Sequence, residues 1–182
     1  WGVELETVLR KHGDRQKRSA LGAGGNGGTG LGMAKGLAAA GASIAIAGRN
    51  KTKAKAALAE LKALGGQAEF VELDVLKDAS CKQAVAQTVE RFGRLDILVA
   101  NASISQRAYF LDMAPEVFRQ VLDSNVYGAV FPLKAALPHL LASQGSITFI
   151  SSISALNGMP SGSASCAGKA ALTNRAHPLR LE

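Results

Sequence analysis

Residues 23–32 read Ala23-Gly24-Gly25-Asn26-Gly27-Gly28-Thr29-Gly30-Leu31-Gly32, and a helical run, Met33-Ala34-Lys35-Gly36-Leu37-Ala38-Ala39-Ala40-Gly41, follows at once. Gly24, Gly28 and Gly30 keep a G-x-x-x-G-x-G spacing. Glycine suits a backbone that must turn tightly and approach a pyrophosphate where a Cβ would obstruct it. The helix behind such a turn aims its free N–H groups and positive dipole end at phosphate. No Gly-Lys-Ser/Thr follows, so the segment is not a P-loop. Taken alone, a glycine-rich stretch is also compatible with a plain flexible loop.

The sequence around the turn argues for a site. Short apolar runs alternate with longer helical patterns, the βαβ signature of a parallel sheet. Ser43–Ala47, Glu69–Leu73, Leu95–Ala100 and Ser146–Ile150 read as strands. Leu31–Ala40, Thr52–Leu64, Ala79–Phe92 and a long stretch from Pro115 to about Ser143 read as helices, with another starting near Ser163. Pro115 suits a first helical turn, whereas Pro132 and Pro138 are expected to kink or divide the long helix. Gly65–Gly66, Gly93 and Gly145 stand where helices should stop. Right-handed crossovers then give an α/β, Rossmann-like, doubly wound parallel sheet with helices on both faces. The ligand crevice of such a sheet lies beyond the carboxyl ends of its strands.

Two regions fit this pattern poorly. The strand before the glycine turn, Arg18–Ala23, reads RSALGA and is poor in β-branched residues; Pro178 falls where the last helix should continue. The expected division is an irregular basic segment over 1–19 and a single dinucleotide-binding domain over 20–182.

The second strand ends in Gly48-Arg49-Asn50. At this point an Asp or Glu would bind the ribose 2′-hydroxyl of NAD. Arg49 can instead pair a 2′-phosphate through two parallel hydrogen bonds, which favours NADP and makes NAD the lesser choice. An ordinary arginine at a helix start is the plain alternative.

Composition narrows the class. The chain has 182 residues, 47% hydrophobic and 19% charged, with a net charge of +7. The basic residues cluster near the N-terminus or spread over helices, and the few aromatics are not interleaved with them, so nucleic-acid binding is not expected. No apolar run reaches membrane-span length, and no signal-peptide pattern opens the chain. Cys81 and Cys166 are the only cysteines, with no metal-ligand spacing, so no metal is expected and a reducing cytoplasm is the default.

These residues together resemble the short-chain dehydrogenase/reductase family, over roughly Ala20 to Glu182. Its T-G-x-x-x-G-x-G is matched by Gly24, Gly28 and Gly30, with Ala23 in place of the Thr. Leu73-Asp74-Val75 is similar to the segment whose acid holds the adenine amino group. Ala100-Asn101-Ala102-Ser103 stands where the family has N-N-A-G, and Asn101 is implied to contact cofactor. Asn125 resembles the long-helix asparagine behind a relay water, and Ser152 resembles the catalytic serine. Each might otherwise be structural: Asp74 capping a turn, Asn125 satisfying backbone.

The family pattern then asks for Y-x-x-x-K. Lys169 is present, implied to hold the nicotinamide ribose, but Ser165 stands four residues earlier where the tyrosine belongs. Carbonyl reduction needs a proton for the forming alkoxide. A tyrosine near pKa 10, lowered by a neighbouring ammonium, can deliver it, and an alkyl hydroxyl is a far weaker acid. Cys166 would point about 100° away on an ideal helix, and Tyr109 and Tyr127 lie elsewhere in the element order.

The resemblance implies an NADP-dependent oxidoreductase of a small carbonyl, alcohol or sugar, impaired in this form. The alternative is a non-catalytic dinucleotide-binding or scaffold protein. The family's usual homo-oligomer would use the long helix and the helix bearing Lys169. Its two further strands and substrate-covering segment are not reached by Glu182, so the expected sheet keeps the order 3-2-1-4-5 with its later strands missing.

Overall fold

A computed structural model describes residues 18–175. The basic N-terminal stretch and Pro178 lie outside the described residues. Five parallel strands form one sheet: β1 (Ser19–Ala23), β2 (Ser43–Gly48), β3 (Ala68–Glu72), β4 (Ile97–Ala100) and β5 (Ser146–Phe149), ordered β3-β2-β1-β4-β5. The helices are α1 (Gly28–Ala39), α2 (Lys51–Lys62), α3 (Asp78–Phe92), α4 (Pro115–Leu122), α5 (Gly128–Ser143) and α6 (Ser163–Arg175).

Strand alternation divides the core. Ile44 and Ile46 of β2 face one side with Ala34 and Ala38 of α1 and Leu61 of α2. Ala45 and Ala47 face the other side with Ala84 and Val85 of α3 and Leu133 and Leu140 of α5. Both faces of the central strands are therefore dry, which is why they read as near-continuous apolar runs.

The weak first strand sits at the centre of the sheet because its neighbour holds it. The N–H of Ser19 donates to Asp96 Oδ2 at 2.9 Å, and the N–H of Asp96 returns to the Ser19 carbonyl at 3.0 Å. Asp96 is 1% exposed and also accepts from Arg94 Nε at 2.8 Å. Long-range pairing thus overrides the poor β propensity of SALGA.

The long helix departs from expectation. It widens into a π-helical turn, Asp123–Tyr127, where the Gly128 N–H reaches back to the Asp123 carbonyl; α5 then runs on through Pro132 and Pro138. Pro138 and Lys134, whose carbonyl it leaves without a partner, are both exposed, so water can serve that acceptor. Pro132 follows Gly128 by four residues, so the carbonyl to which it offers no N–H is the first of α5. Gly93 ends α3 in the left-handed region, with φ of 76°. After α5 that conformation falls on Gln144, while Gly145 is required for space, because a Cβ there would strike the Asp96 carbonyl.

Candidate dinucleotide cleft and adjoining substrate cleft

Beyond the carboxyl ends of β1–β4 lies a cleft of about 390 Å³, lined by Gly24, Arg49, Asp74 and Asn101 among others. Each comes from a different strand end, as the crossover topology dictates. Gly24 has φ of 74°, and Gly28, at φ 51°, opens α1 with nothing near the place of a Cβ. The two thus serve backbone conformation. Gly30 serves approach: a Cβ there would overlap the Gly24 carbonyl and stand 2.7 Å from Asn101 Nδ2. Asn101 Nδ2 donates to that same carbonyl at 3.2 Å, tying the end of β4 to the glycine turn.

Asp74 both lines the cleft and caps its own turn, its Oδ1 accepting from the Leu76 N–H at 3.1 Å. Arg49 is exposed, with Lys53 and Asn50 beside it in the lining. Asn50, Asn26 and Lys53 were not singled out from sequence. Asn50 Oδ1 accepts from the Lys53 N–H at 2.9 Å and so caps α2, while Asn26 Nδ2 donates to the Asn50 carbonyl at 3.3 Å. A helix-capping asparagine straight after β2 was the available signal. A Cβ on Gly48 would meet Asn26 Nδ2 at 3.1 Å, so that glycine makes room for this bridge.

A second cleft of about 330 Å³ adjoins the first, with Ser103 and Ile104 common to both. It gathers Asn125, Ser152, Ser165 and Lys169. Lys169 projects from α6, and its Nζ donates to the Ile150 carbonyl at 2.6 Å; burial pushes its pKa below the ordinary lysine value. Ser165, one turn earlier on α6, donates to Ser105 Oγ at 3.1 Å. Ser152 is exposed and accepts from the Ser154 N–H at 3.2 Å. Asn125 lies within the π turn, 1% exposed, and its Oδ1 accepts from the Ile104 N–H at 2.9 Å. It therefore holds the loop after β4, not helix backbone. Gly168 lets α6 come this close, since a Cβ on it would stand 3.0 Å from the Asn125 Cβ.

Tyr109 and Tyr127 are exposed, Tyr127 lies against Phe131, and neither lines the second cleft; Cys166 does line it. Arg107 and Ser105, not singled out from sequence, line it as well. Among the described residues there is no cluster able to hold a metal ion, and no helix is long and apolar enough to cross a membrane.

The family model described as short chain dehydrogenase matches residues 18–182. The chain belongs to that family. Its members bind an NAD(P) nucleotide and act as oxidoreductases on small molecules. Among curated relatives, an 11-beta-hydroxysteroid dehydrogenase-like 4A of Arabidopsis thaliana is 37% identical over 112 residues, 61% of this chain and 37% of that one. An L-rhamnose 1-dehydrogenase (NAD(P)(+)) of a Sphingomonas species is 40% identical over 103 residues, 56% of this chain and 41% of that one. These matches thus span well under half the length of those relatives. A crystal structure of a 3-oxoacyl-[acyl-carrier protein] reductase from Brucella melitensis superposes with a TM-score of 0.85 at 35% identity, covering 92% of this chain and 70% of that one. A 3-oxoacyl-[acyl-carrier protein] reductase from Brucella melitensis, 35% identical with a TM-score of 0.84, is solved with NAD, and an actinorhodin polyketide ketoreductase, 26% identical with a TM-score of 0.87, is solved with NADPH.

Proposed function

We propose that this chain is an NADP-dependent oxidoreductase that interconverts a small alcohol or sugar hydroxyl and a carbonyl, weakened by Ser165 at the position of the proton donor. The observation that carries this reading is the basic mouth of the first cleft. Arg49 and Lys53 stand where the adenosine ribose belongs, with no carboxylate at the end of β2 to repel a 2′-phosphate. The glycine turn fits a pyrophosphate, because Gly24 and Gly30 leave bare backbone at the mouth of α1.

The roles then follow by position. Gly24, Gly28 and Gly30 admit the pyrophosphate, Asp74 and Asn101 line the nucleoside path, and Arg49 holds the 2′-phosphate. When bound, the dinucleotide supplies or accepts the hydride. Lys169 reaches the nicotinamide ribose, burial lowering its pKa from the ordinary lysine value, and Asn125 holds a relay water. Ser152 orients the substrate oxygen. Ser165 can donate a hydrogen bond to that oxygen but is too weak an acid to protonate a forming alkoxide rapidly, and losing a general acid costs about 10² to 10⁴ in rate.

Titration with NADPH and NADH, followed by nucleotide fluorescence, tests the cofactor assignment. Saturable binding that favours NADPH, lost on Arg49→Glu, is the expected result; equal affinity for the two, or an unaltered preference in the variant, refutes it. Ser165→Tyr tests the chemistry through NADPH oxidation with a panel of small aldehydes, ketones and aldoses. A gain of about 10² or more supports a weakened enzyme. Tight NADPH binding with no gain supports the non-catalytic binder.

A further inference from the structure

The second cleft is short of negative charge. Lys169 and Arg107 bring two cations to it, and the hydroxyls of Ser105, Ser152 and Ser165 stand beside them. Among the described residues none that lines it is acidic. Arg107 is exposed and forms no ion pair within the described residues.

A third donor is left over. The Ile104 N–H bonds to Asn125 Oδ1, which fixes the amide so that its Nδ2 is the outstanding group. That Nδ2 is buried without a hydrogen-bond partner among the described residues. A buried donor left unmatched costs about 1–3 kcal/mol, and the water proposed beside Asn125 would answer it, so the call for an anion rests on Arg107 and the missing acids.

A neutral carbonyl compound presents one weak acceptor and leaves Arg107 unanswered, whereas Lys169 already has the Ile150 carbonyl. An anionic group answers several donors together, and a guanidinium fork matches a carboxylate or phosphate through two parallel bonds. A cleft of one charge sign also concentrates ligands of the other.

We propose that the second cleft takes a substrate carrying a carboxylate or phosphate, and that Arg107 is the residue that grips this group. The proposal rests on the reductase reading and narrows its substrate class. At about 330 Å³ the cleft suits a molecule of a few carbons. The phosphates of the cofactor belong to the other cleft, by the glycine turn and Arg49, and do not answer these donors.

Matched pairs differing only in charge test it by calorimetry on the whole chain, with and without saturating NADPH. The pairs are gluconate against glucitol, 3-hydroxybutyrate against butane-1,3-diol, and glucose 6-phosphate against glucose. At least one anion should bind about tenfold or more tightly than its neutral partner. Arg107→Gln should erase that advantage while leaving NADPH affinity unchanged. The first two pairs report a carboxylate and the third a phosphate. Equal affinity within every pair, no binding of any anion, or an advantage that survives Arg107→Gln overturns the proposal. Failure here with NADPH binding intact removes only the anionic substrate, whereas absent NADPH binding removes the cofactor reading instead.

Discussion

At the scale of single residues, the glycines of the turn do different work, and the difference has measurable consequences. Gly28 needs an unusual φ in open space, while Gly30 needs bare volume against the Gly24 carbonyl. Gly30→Ala should therefore force the turn away from α1, lowering NADPH affinity at least about tenfold and stability by about 1–3 kcal/mol. Nucleotide titration alongside urea denaturation checks both, and wild-type affinity in this variant would show that the turn yields freely. That Gly24, Arg49, Asp74 and Asn101 would meet at one cleft was legible in the sequence, because each stands just past the end of a parallel strand. Asn26 was not, since its bond to the Asn50 carbonyl joins segments that only the folded sheet brings together. Arg107 was hidden for the same reason: it belongs to the loop after β4, which carries no helix or strand period.

At the scale of elements, β1 was the least legible strand and has the most specific anchor. Asp96 accepts from the Ser19 N–H and from Arg94 while its own N–H bonds back to Ser19. Removing the carboxylate leaves a buried N–H unmatched beside a freed guanidinium. Asp96→Ala should cost about 3 kcal/mol in urea denaturation and speed exchange of the β1 amides in deuterium oxide. A loss under about 0.5 kcal/mol would mean that strand pairing alone holds β1. The other strands were legible from the alternation of apolar runs and helical patterns, and their order from the family resemblance. The π turn did not, because proline is the conspicuous helix breaker in that stretch and nothing in Asp123–Tyr127 announces a wider turn.

At the scale of the whole molecule, two groups among the described residues, each shifted by burial, push the response to alkali in opposite directions. Burial raises the Cys81 pKa from 9.0 to about 11, aided by Asp78 and Asp74. Its contribution to stability is complete below pH 9 and is lost as pH rises through 11, on the order of 2–3 kcal/mol. Lys169 is shifted down by burial, so the fold favours its neutral form and gains stability as pH climbs toward 10.5. Denaturation midpoints between pH 8 and 11 should fall, Cys81→Ala should flatten that fall, and Lys169→Met should steepen it. A Cys81→Ala profile parallel to the wild type would remove the thiol from the account. The first cleft adds a consequence of another kind. Its walls come from the ends of β1, β2, β3 and β4 and from the turn after α4, stretches far apart along the chain. No fragment that lacks one of these strands can present them together, so nucleotide occupancy certifies that β1 to β4 have assembled. A protease that cuts opened chains should then find fewer of them as the nucleotide concentration rises, and the supply of cofactor would govern how long each molecule survives.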